Sequence, residues 1–150
     1  MSTGLGLDEQ AIADLLKAVT SIAVVGASTN PGFASHRVTS YLVNEAGYTV
    51  HPVGAGGGEV AGRPLLPTLE SVPGPLDVVY GFVLPPAAPD LARRAVAVGA
   101  RVLWLHEGIV SPEAEALAAA AGLAFVANRS MEVEHRVGVA GERRVHFMPM

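Results

Sequence analysis

The chain contains no cysteine, which excludes disulfide bonds, thiol nucleophiles and cysteine-ligated zinc. It is also poor in charge: 16% of its residues are charged, and Lys+Arg 10 against Asp+Glu 14 gives a formal net charge of −4. This balance argues against a nucleic-acid groove, which needs an excess of basic residues. A disordered chain combines low hydrophobicity with high net charge, and this chain, 50% hydrophobic, has neither.

Long hydrophobic runs are missing as well. No stretch approaches the ~20 consecutive apolar residues that a transmembrane helix needs. The first residues, Met1 to Gln10, carry no positive charge and no apolar core, so they do not resemble a secretory signal peptide. We therefore expect a cytoplasmic protein that does not contact a membrane.

The length predicts one domain. A chain of 150 residues is about the size of a single domain, which hides roughly 68–70% of the surface that its unfolded form exposes. We expect residues 1–150 to form one unit, with a core at about 8–136 and a tail at 137–150.

Short apolar runs that end at glycine or proline alternate with longer amphipathic stretches. The apolar runs are typical of strands buried on both faces, and the amphipathic stretches between them are typical of helices. The predicted strands are 21–26, 48–53, 76–83, 101–105 and 123–126, and the predicted helices are 7–19, 34–46, 89–98 and one beginning at Ser111-Pro112. This order predicts an α/β fold: a doubly wound, Rossmann-like parallel sheet of about five strands with helices on both faces. In the tail, Val137-Gly138-Val139 and Arg143–Phe147 alternate as a hairpin would.

Ligands of such sheets bind outside the carboxyl ends of the strands. The segments that follow the predicted strands therefore carry the information about function. They are 26–31, 53–56, 82–86, 106–108 and 127–130.

The first of these segments is suited to a phosphate. Gly26 directly follows the first strand and allows a tight turn, and the next helix presents unpaired N–H groups at the positive end of its dipole. Ser28 and Ser35 add hydroxyl donors. An ordinary glycine-serine turn between a strand and a helix is the alternative interpretation.

The segment is not the dinucleotide fingerprint G-x-G-x-x-G, because Ser28 and Pro31 occupy the second and third glycine positions. The acidic residue expected at the end of the second strand is missing too, since that end reads His51-Pro52-Val53-Gly54. A carboxylate there would hold a free ribose diol. Its absence disfavours NAD and favours a nucleotide that is phosphorylated on its ribose.

Several segments together resemble one family. Gly26-Ala27-Ser28 with the helix from Ser35 is similar to a G-x-S phosphate loop, and Val50–Val53 is similar to the strand that follows it. Trp104–Gly108 and Asn128-Arg129-Ser130 are similar to W-x-x-x-G and D-R-C motifs. On these residues the chain resembles the single-domain CoA-binding proteins of bacteria, which have a Rossmann-like fold, and also the CoA-binding domain of the succinyl-CoA ligase α subunit.

The resemblance implies that the chain binds coenzyme A or an acyl-CoA without catalysing a reaction. The implied cofactor-binding residues are Gly26, Ala27, Ser28, Thr29, Ser35, His36, Arg37, Val53, Gly54, Val83, Leu84, Pro85, His106, Glu107, Gly108, Asn128, Arg129 and Ser130. Glu107 would accept a hydrogen bond from a pantetheine amide or a ribose hydroxyl. The implied partner is a small nucleotide ligand, and a homo-oligomer or a partner enzyme subunit is compatible with it.

The chain departs from the family at three places. Gly54-Ala55-Gly56 replaces the basic residue after the second strand, Val83-Leu84 replaces a Phe-Arg pair, and Ser130 replaces a cysteine. Arg37, Arg63 or His51 would have to supply the missing cation.

Two other classes of function stay open: an enzyme, either an NAD(P)-dependent oxidoreductase or a component of an acyl-CoA ligase, and a regulatory domain that has lost its ligand.

Single residues outside these motifs are given structural interpretations. No two histidines have metal-ligand spacing, so no metal site is expected. Ser28 lacks the G-x-S-x-G elbow of a serine hydrolase. Trp104 is expected in the core or the cleft wall, and Glu132 and Glu134 are expected to be solvated.

Overall fold

The computed structural model describes residues 7–142. The helices in this range are α1 (Glu9–Ala18), α2 (Ala34–Asn44), α3 (Ala88–Ala97), α4 (Pro112–Ala120) and α5 (Met131–Gly138). The strands are β1 (Ser21–Val25), β2 (Thr49–Val53), β3 (Glu59–Val60), β4 (Arg63–Pro64), β5 (Val78–Gly81), β6 (Val102–Leu105) and β7 (Ala124–Val126). Short 3-10 turns lie at Leu69–Ser71 and Pro85–Ala87.

Five strands form one parallel sheet in the order β2-β1-β5-β6-β7. β1 lies between β2 and β5, so that Ile22 is opposite both Val50 and Val78. The strand order reverses at the β1–β5 boundary, which is the position where open sheets of this kind bind ligands. The predicted α/β class, the five parallel strands and their place in the chain are confirmed.

Helices cover both faces of the sheet, and each face has its own apolar cluster. One cluster joins α1, α2 and α5 to the sheet through residues such as Leu16, Leu42, Met131, Ile22 and Trp104. The other joins α3 and α4 to the opposite face through small and branched side chains. Burial on both sides explains why β1, β5 and β6 are almost entirely apolar instead of alternating between apolar and polar residues.

The predicted start of α4 is confirmed in detail. Ser111 precedes the helix and accepts a hydrogen bond from the Ala114 N–H at 3.1 Å, and Pro112 occupies the first helical position. A serine cap satisfies one of the N–H groups that a helix start leaves unpaired, and proline has no N–H to lose there.

The predicted hairpin in the tail is wrong where the structure describes it. Val137 and Gly138 lie in α5, and Val139 is its C-terminal cap, while Arg143–Phe147 lie outside the described residues. Ser130 caps the helix by accepting the Val133 N–H, with Glu132 in the first turn and Arg136 in the last. This arrangement of cap and charges matches the helix dipole and outweighs the alternating pattern.

A small antiparallel hairpin, β3–β4, lies beside β2 and was not predicted. The chain returns along β2 through a parallel bridge between Val53 and Leu66. The Leu66 N–H donates to the Pro52 carbonyl at 2.9 Å, and the Leu66 carbonyl accepts from the Gly54 N–H at 2.9 Å. The segment thus protects the outer edge of β2.

In the range 7–142 no helix is long and apolar enough to cross a membrane. Nor do three histidine, aspartate or glutamate side chains in that range come together as they would around a metal ion.

Asp77 connects the amino ends of β1 and β5 by hydrogen bonds, at the edge of the sheet opposite to the candidate ligand edge. One carboxylate oxygen accepts hydrogen bonds from the Thr20 N–H at 2.8 Å, the Thr20 hydroxyl at 3.1 Å and the Ser21 N–H at 3.2 Å. The other lies 3.4 Å from Arg101. The backbone N–H of Thr20 is the main cause that lowers the pKa of Asp77, and desolvation partly opposes it.

We predict that Asp77→Ala lowers the free energy of unfolding by about 1–3 kcal/mol at neutral pH, since it leaves donors unpaired. Because the pKa of Asp77 is lower in the folded state, its contribution is present above the unfolded pKa of about 3.9 and is lost as pH falls through the folded value. Urea unfolding of both proteins from about pH 7 down to about pH 3 measures the contribution of Asp77 to the free energy of unfolding. The difference between wild type and variant must shrink on acidification, and a constant difference would contradict the assignment.

Candidate functional site

The segments that follow the parallel strands meet at one edge of the sheet, and hydrogen bonds connect neighbours across it. The Ala27 N–H donates to the Val53 carbonyl at 3.0 Å, the Phe82 N–H to the Val25 carbonyl at 2.8 Å, and the His106 N–H to the Gly81 carbonyl at 3.1 Å. The Gly108 N–H donates to the Asn128 side-chain oxygen at 2.7 Å. The structure therefore brings all five predicted segments to the same edge.

Two glycines permit the close packing of these segments. Gly26 has a φ of +91°, and a Cβ there would lie 2.2 Å from the Phe82 carbonyl oxygen. A Cβ on Gly54 would lie 2.4 Å from the Ala27 carbonyl oxygen. Both contacts are with backbone and cannot be relieved by a side-chain rotation, so any larger residue would push the β1 turn away from its neighbours.

The turn after β1 is held by its own side chains. The Ser28 hydroxyl oxygen accepts the Asn30 N–H at 3.0 Å, and the Asn30 side-chain oxygen accepts the Gly32 N–H at 2.8 Å. Phe33, at the N-cap of α2, provides no side-chain cap. The α2 start at Ala34 confirms the predicted boundary.

Backbone donors are available at this turn. Within the described chain, the N–H groups of Ser28, Thr29, Ala34 and Ser35 have no hydrogen-bond acceptor. Two of them belong to the turn and two to the first turn of α2, where the helix dipole is positive. This set of donors can bind the oxygens of a phosphate or diphosphate.

His36 and Arg37 lie in the first turn of α2. Arg37 is 66% exposed at its side chain and lies 3.6 Å from Glu132 of α5. The Glu132 side chain is 14% exposed and also binds Arg136 at 3.0 Å. The long 3.6 Å contact leaves most of the exposed Arg37 guanidinium open to an anion at the edge.

The glycine-rich segment after β2 lies against the turn after β1. A Cβ on Gly58 would be 3.3 Å from the Thr29 methyl group, which places this loop directly beside the turn. Behind it, burial lowers the pKa of His51 on β2, and the Arg63 guanidinium lowers it further. Arg63, on β4, therefore lies near enough to β2 for its charge to act on His51.

The segment after β5 presents apolar surface. Leu84 is 79% exposed, and Phe33, at the start of α2, is 57% exposed. Val83 packs against the second apolar cluster, and Pro85 begins a short 3-10 turn. The exposed side chains on either side of the β1–β5 boundary can cover a flat apolar group such as a purine.

Two hydrogen bonds, each between a side chain and a main-chain atom, link β6 and the segment after it to the segment after β7. Trp104, fully buried on β6, donates its indole N–H to the Arg129 carbonyl at 2.8 Å. Gly108 is held by Asn128, which has a φ of +60°. Trp104 thus lies in the core, as expected, and also fixes the loop after β7.

The prediction that Glu132 and Glu134 are solvated is wrong. Glu134 is 6% exposed and lies 3.3 Å from Arg129. Glu132 has a side chain that is 14% exposed and binds Arg136 at 3.0 Å. A carboxylate shielded from water needs a cationic partner. Arg129 is that partner for Glu134, and Arg136, one helical turn after Glu132, is that partner for Glu132.

Sequence reasoning did not identify Tyr80 as a residue of this edge. Its hydroxyl lies 2.6 Å from His106 Nδ1 and accepts the Met131 N–H at 3.0 Å. Tyr80 belongs to a strand that reads as a buried apolar run, so its only signal was the phenol itself, which needs a polar partner when buried.

Comparisons with known proteins agree with this geometry. The family described as "CoA binding domain" matches residues 20–136. An uncharacterized protein of Bacillus subtilis, YneT, is 31% identical over 126 residues, covering 84% of this chain and 93% of that protein. A hypothetical protein of Pyrococcus horikoshii superposes with a TM-score of 0.83 and 35% identity, over 91% of this chain and 98% of the other.

A dinucleotide-forming acetyl-coenzyme A synthetase of Ca. Korarchaeum cryptofilum shares the fold, with a TM-score of 0.62 and 22% identity over 77% of this chain and 28% of the synthetase. The parallel sheet with helices on both faces thus defines a Rossmann-like class of domain. Within that class, this chain belongs to the CoA-binding domain family.

Proposed function

We propose that this protein binds coenzyme A or an acyl-CoA as a stand-alone domain of residues 1–150, in the cytoplasm, and does not itself transform the ligand. The observation that carries the proposal is the set of unpaired backbone N–H groups at Ser28, Thr29, Ala34 and Ser35, at the strand-order reversal of a CoA-binding-family fold. A diphosphate is negatively charged and accepts several hydrogen bonds, which is what unpaired N–H groups at the start of a helix bind.

The proposed path of the ligand follows the order of the strands. The diphosphate lies on Gly26–Thr29 and the start of α2, and the adenine lies between Val53-Gly54 and Val83–Pro85. The pantetheine arm crosses β5 and β6 towards Glu107-Gly108 and Asn128–Ser130. The exposed side chains of Leu84 and Phe33 support the placement of the purine, because they offer apolar surface on both sides of the turn after β1.

Arg37 and Arg63 are the proposed partners of the ribose phosphate. Arg37 has only a 3.6 Å contact with Glu132, and Arg63 is near enough to His51 to lower its pKa. An arginine binds phosphate in two-pronged fashion, so either side chain can replace the basic residue that Gly54-Ala55-Gly56 lacks.

Binding without turnover is favoured by the use that the structure makes of its hydroxyl groups. Ser28 Oγ accepts the Asn30 N–H, and Ser130 Oγ accepts the Val133 N–H as the cap of α5. A nucleophile needs a base beside it, whereas the Ser28 oxygen serves a turn, and the Ser130 oxygen serves a cap and lies beside the Tyr80 phenol, whose raised pKa makes it no base.

We predict that CoA and acetyl-CoA bind saturably below about 1 mM, a standard free energy more favourable than about −4.1 kcal/mol. Isothermal titration calorimetry measures this, with NAD as the competing nucleotide. NAD should bind more weakly, since no acidic residue ends β2 to hold a free ribose diol. Heat from NAD but none from CoA would overturn the proposal in favour of a dinucleotide enzyme. No heat from either would favour a domain that has lost its ligand.

A further inference from the structure

His106 and Tyr80 form a hydrogen-bonded pair at the carboxyl edge of the sheet. Tyr80 is fully buried on β5, and His106 follows β6 directly. The Tyr80 hydroxyl oxygen lies 2.6 Å from His106 Nδ1 and accepts the Met131 N–H at 3.0 Å. The pair thus connects two neighbouring strands to the first residue of α5.

The hydrogen-bond pattern assigns the tautomer of the imidazole. Tyr80 has one proton to donate, and its other neighbours, the Met131 N–H and the Ser130 hydroxyl, can both act as donors to the phenol oxygen, so the phenol proton goes to His106 Nδ1. Nδ1 is therefore the acceptor, and the ring hydrogen is on Nε2. The hydroxyl and the Met131 N–H together hold the neutral form.

Burial, more than the surrounding charges, favours a neutral imidazole at His106. Burial lowers the pKa of His106; Arg37 lowers it further, while the carboxylates of Glu107 and Glu132 act in the opposite direction. Phe82 stacks on the ring with 4.2 Å between centroids and 30° between planes. An aromatic face and a phenol hydroxyl thus fix the orientation of the ring from two sides.

The other ring nitrogen faces the edge. His106 Nε2 has no hydrogen-bond partner in the described part of the chain, and no buried side-chain nitrogen or oxygen of that part lacks a partner. Nε2 is consequently accessible to a ligand. It offers an uncharged N–H donor with a fixed direction, which matches a neutral carbonyl oxygen better than a phosphate.

We propose that His106 is a specificity residue of the edge, donating its Nε2–H to a carbonyl oxygen of the pantetheine or acyl arm of the ligand, with Tyr80 as the positioning residue that holds the required tautomer. This inference rests on the proposed function. It agrees with the strand order, since β6 lies two strand spacings from β1, about 10 Å. A ligand whose diphosphate lies after β1 presents its uncharged arm there.

The test compares three ligands on the folded chain by calorimetry: CoA, acetyl-CoA, and adenosine 3′,5′-bisphosphate, which has no pantetheine arm. His106→Leu should weaken CoA binding about 3- to 10-fold, the effect of one neutral hydrogen bond, and leave the bisphosphate unchanged. If acetyl-CoA loses more than CoA, the acceptor is the thioester carbonyl; equal losses identify a pantetheine amide. Equal CoA affinity of variant and wild type would overturn the inference while the proposed function stands.

His135→Leu is the matched control. His135 makes the same kind of pair, its Nδ1 lying 2.8 Å from the Tyr41 hydroxyl, but it lines a groove with Thr20 and Thr49 at the amino edge of the sheet. The His135→Leu variant should bind CoA with the same affinity as the wild type. If the wild type binds neither CoA nor the bisphosphate, the proposed function itself fails, and the inference with it.

The role of Tyr80 has a readout that needs no ligand. In ¹⁵N-labelled protein near neutral pH, His106 should show a hydrogen on Nε2 and an unprotonated Nδ1. In Tyr80→Phe, His106 Nδ1 loses its hydrogen-bond donor, so both neutral tautomers of the imidazole should be populated. The affinity for CoA should fall in proportion to the loss of the tautomer that carries its hydrogen on Nε2. A wild-type imidazole with its hydrogen on Nδ1, or a charged ring, would refute the assignment.

Discussion

Gly26→Ala is expected to lower the free energy of unfolding by about 3 kcal/mol or more and to abolish CoA binding. The φ of +91° is unfavourable for alanine, and the new Cβ would lie 2.2 Å from the Phe82 carbonyl oxygen. Since the obstacle is backbone, relief requires the β1 turn to separate from the segment after β5. That movement displaces the N–H groups of Ser28 and Thr29 that are proposed to bind the diphosphate. Chemical denaturation and calorimetry with CoA measure the two effects.

Gly47→Ala is the control that separates the cost of a positive φ from the cost of a steric clash between the new Cβ and neighbouring backbone. Gly47 has a φ of +78°, and a Cβ there would meet nothing within 4 Å. It follows α2 at the edge opposite to the site, so this variant should lose only about 1 kcal/mol and keep its affinity for CoA. Equal losses of stability in the two variants would contradict the claim that close packing at the β1–β5 boundary requires glycine.

Trp104→Ala is expected to lower the free energy of unfolding by about 3–5 kcal/mol. Trp104 is fully buried, between Tyr80 and Val126 in the sheet register, so truncation leaves a large cavity. The change also removes the indole N–H that binds the Arg129 carbonyl at 2.8 Å. The loop after β7 should therefore loosen, which hydrogen exchange at residues 128–130 would report.

Trp104→Phe is the control for bulk. It keeps an aromatic ring in the core and loses the hydrogen bond, so its stability should lie clearly between those of the wild type and Trp104→Ala, about 1–2 kcal/mol below the wild type. If both variants unfold with the same free energy, the cavity is not the dominant cost. If hydrogen exchange after β7 stays as in the wild type in both, the bond to Arg129 does not hold that loop.

Much of the fold follows from local sequence. Runs such as Ile22–Val25 and Val102–Leu105 are apolar throughout because helices cover both faces, and glycine ends many of the elements. The cap at Ser111-Pro112 specifies where α4 begins. Alternation of such segments leaves few topologies besides a parallel sheet with crossover helices.

The exceptions are features that local pattern does not encode. The alternation of Val137 and Val139 indicated a strand, but the cap at Ser130 and the contacts of α5 with α1 and α2 favour a helix. The β3–β4 hairpin has two-residue strands and depends on its position beside β2. Glu134 is buried and lies 3.3 Å from Arg129 of the preceding loop, a pairing that the helical pattern of its own segment does not reveal.

For the candidate site, the sequence identified the segments but not the pairings between them. Parallel strands bring their carboxyl ends to one edge, which is why the predicted residues converge. Tyr80 and His106 are 26 positions apart, and only the strand register places one beside the other. Side-chain partners across a sheet are therefore the part of the site that needed the structure.

The most direct test of the account is a nuclear magnetic resonance titration of ¹⁵N-labelled protein with CoA. The account predicts that the largest chemical-shift changes occur at the backbone amides of Ser28, Thr29, Ala34 and Ser35, and that they saturate together. The chemical shifts of amides around Thr20 and Thr49, at the opposite edge, should not change. Saturable shifts confined to the opposite edge, or no shift at the turn after β1 at millimolar CoA, would contradict it.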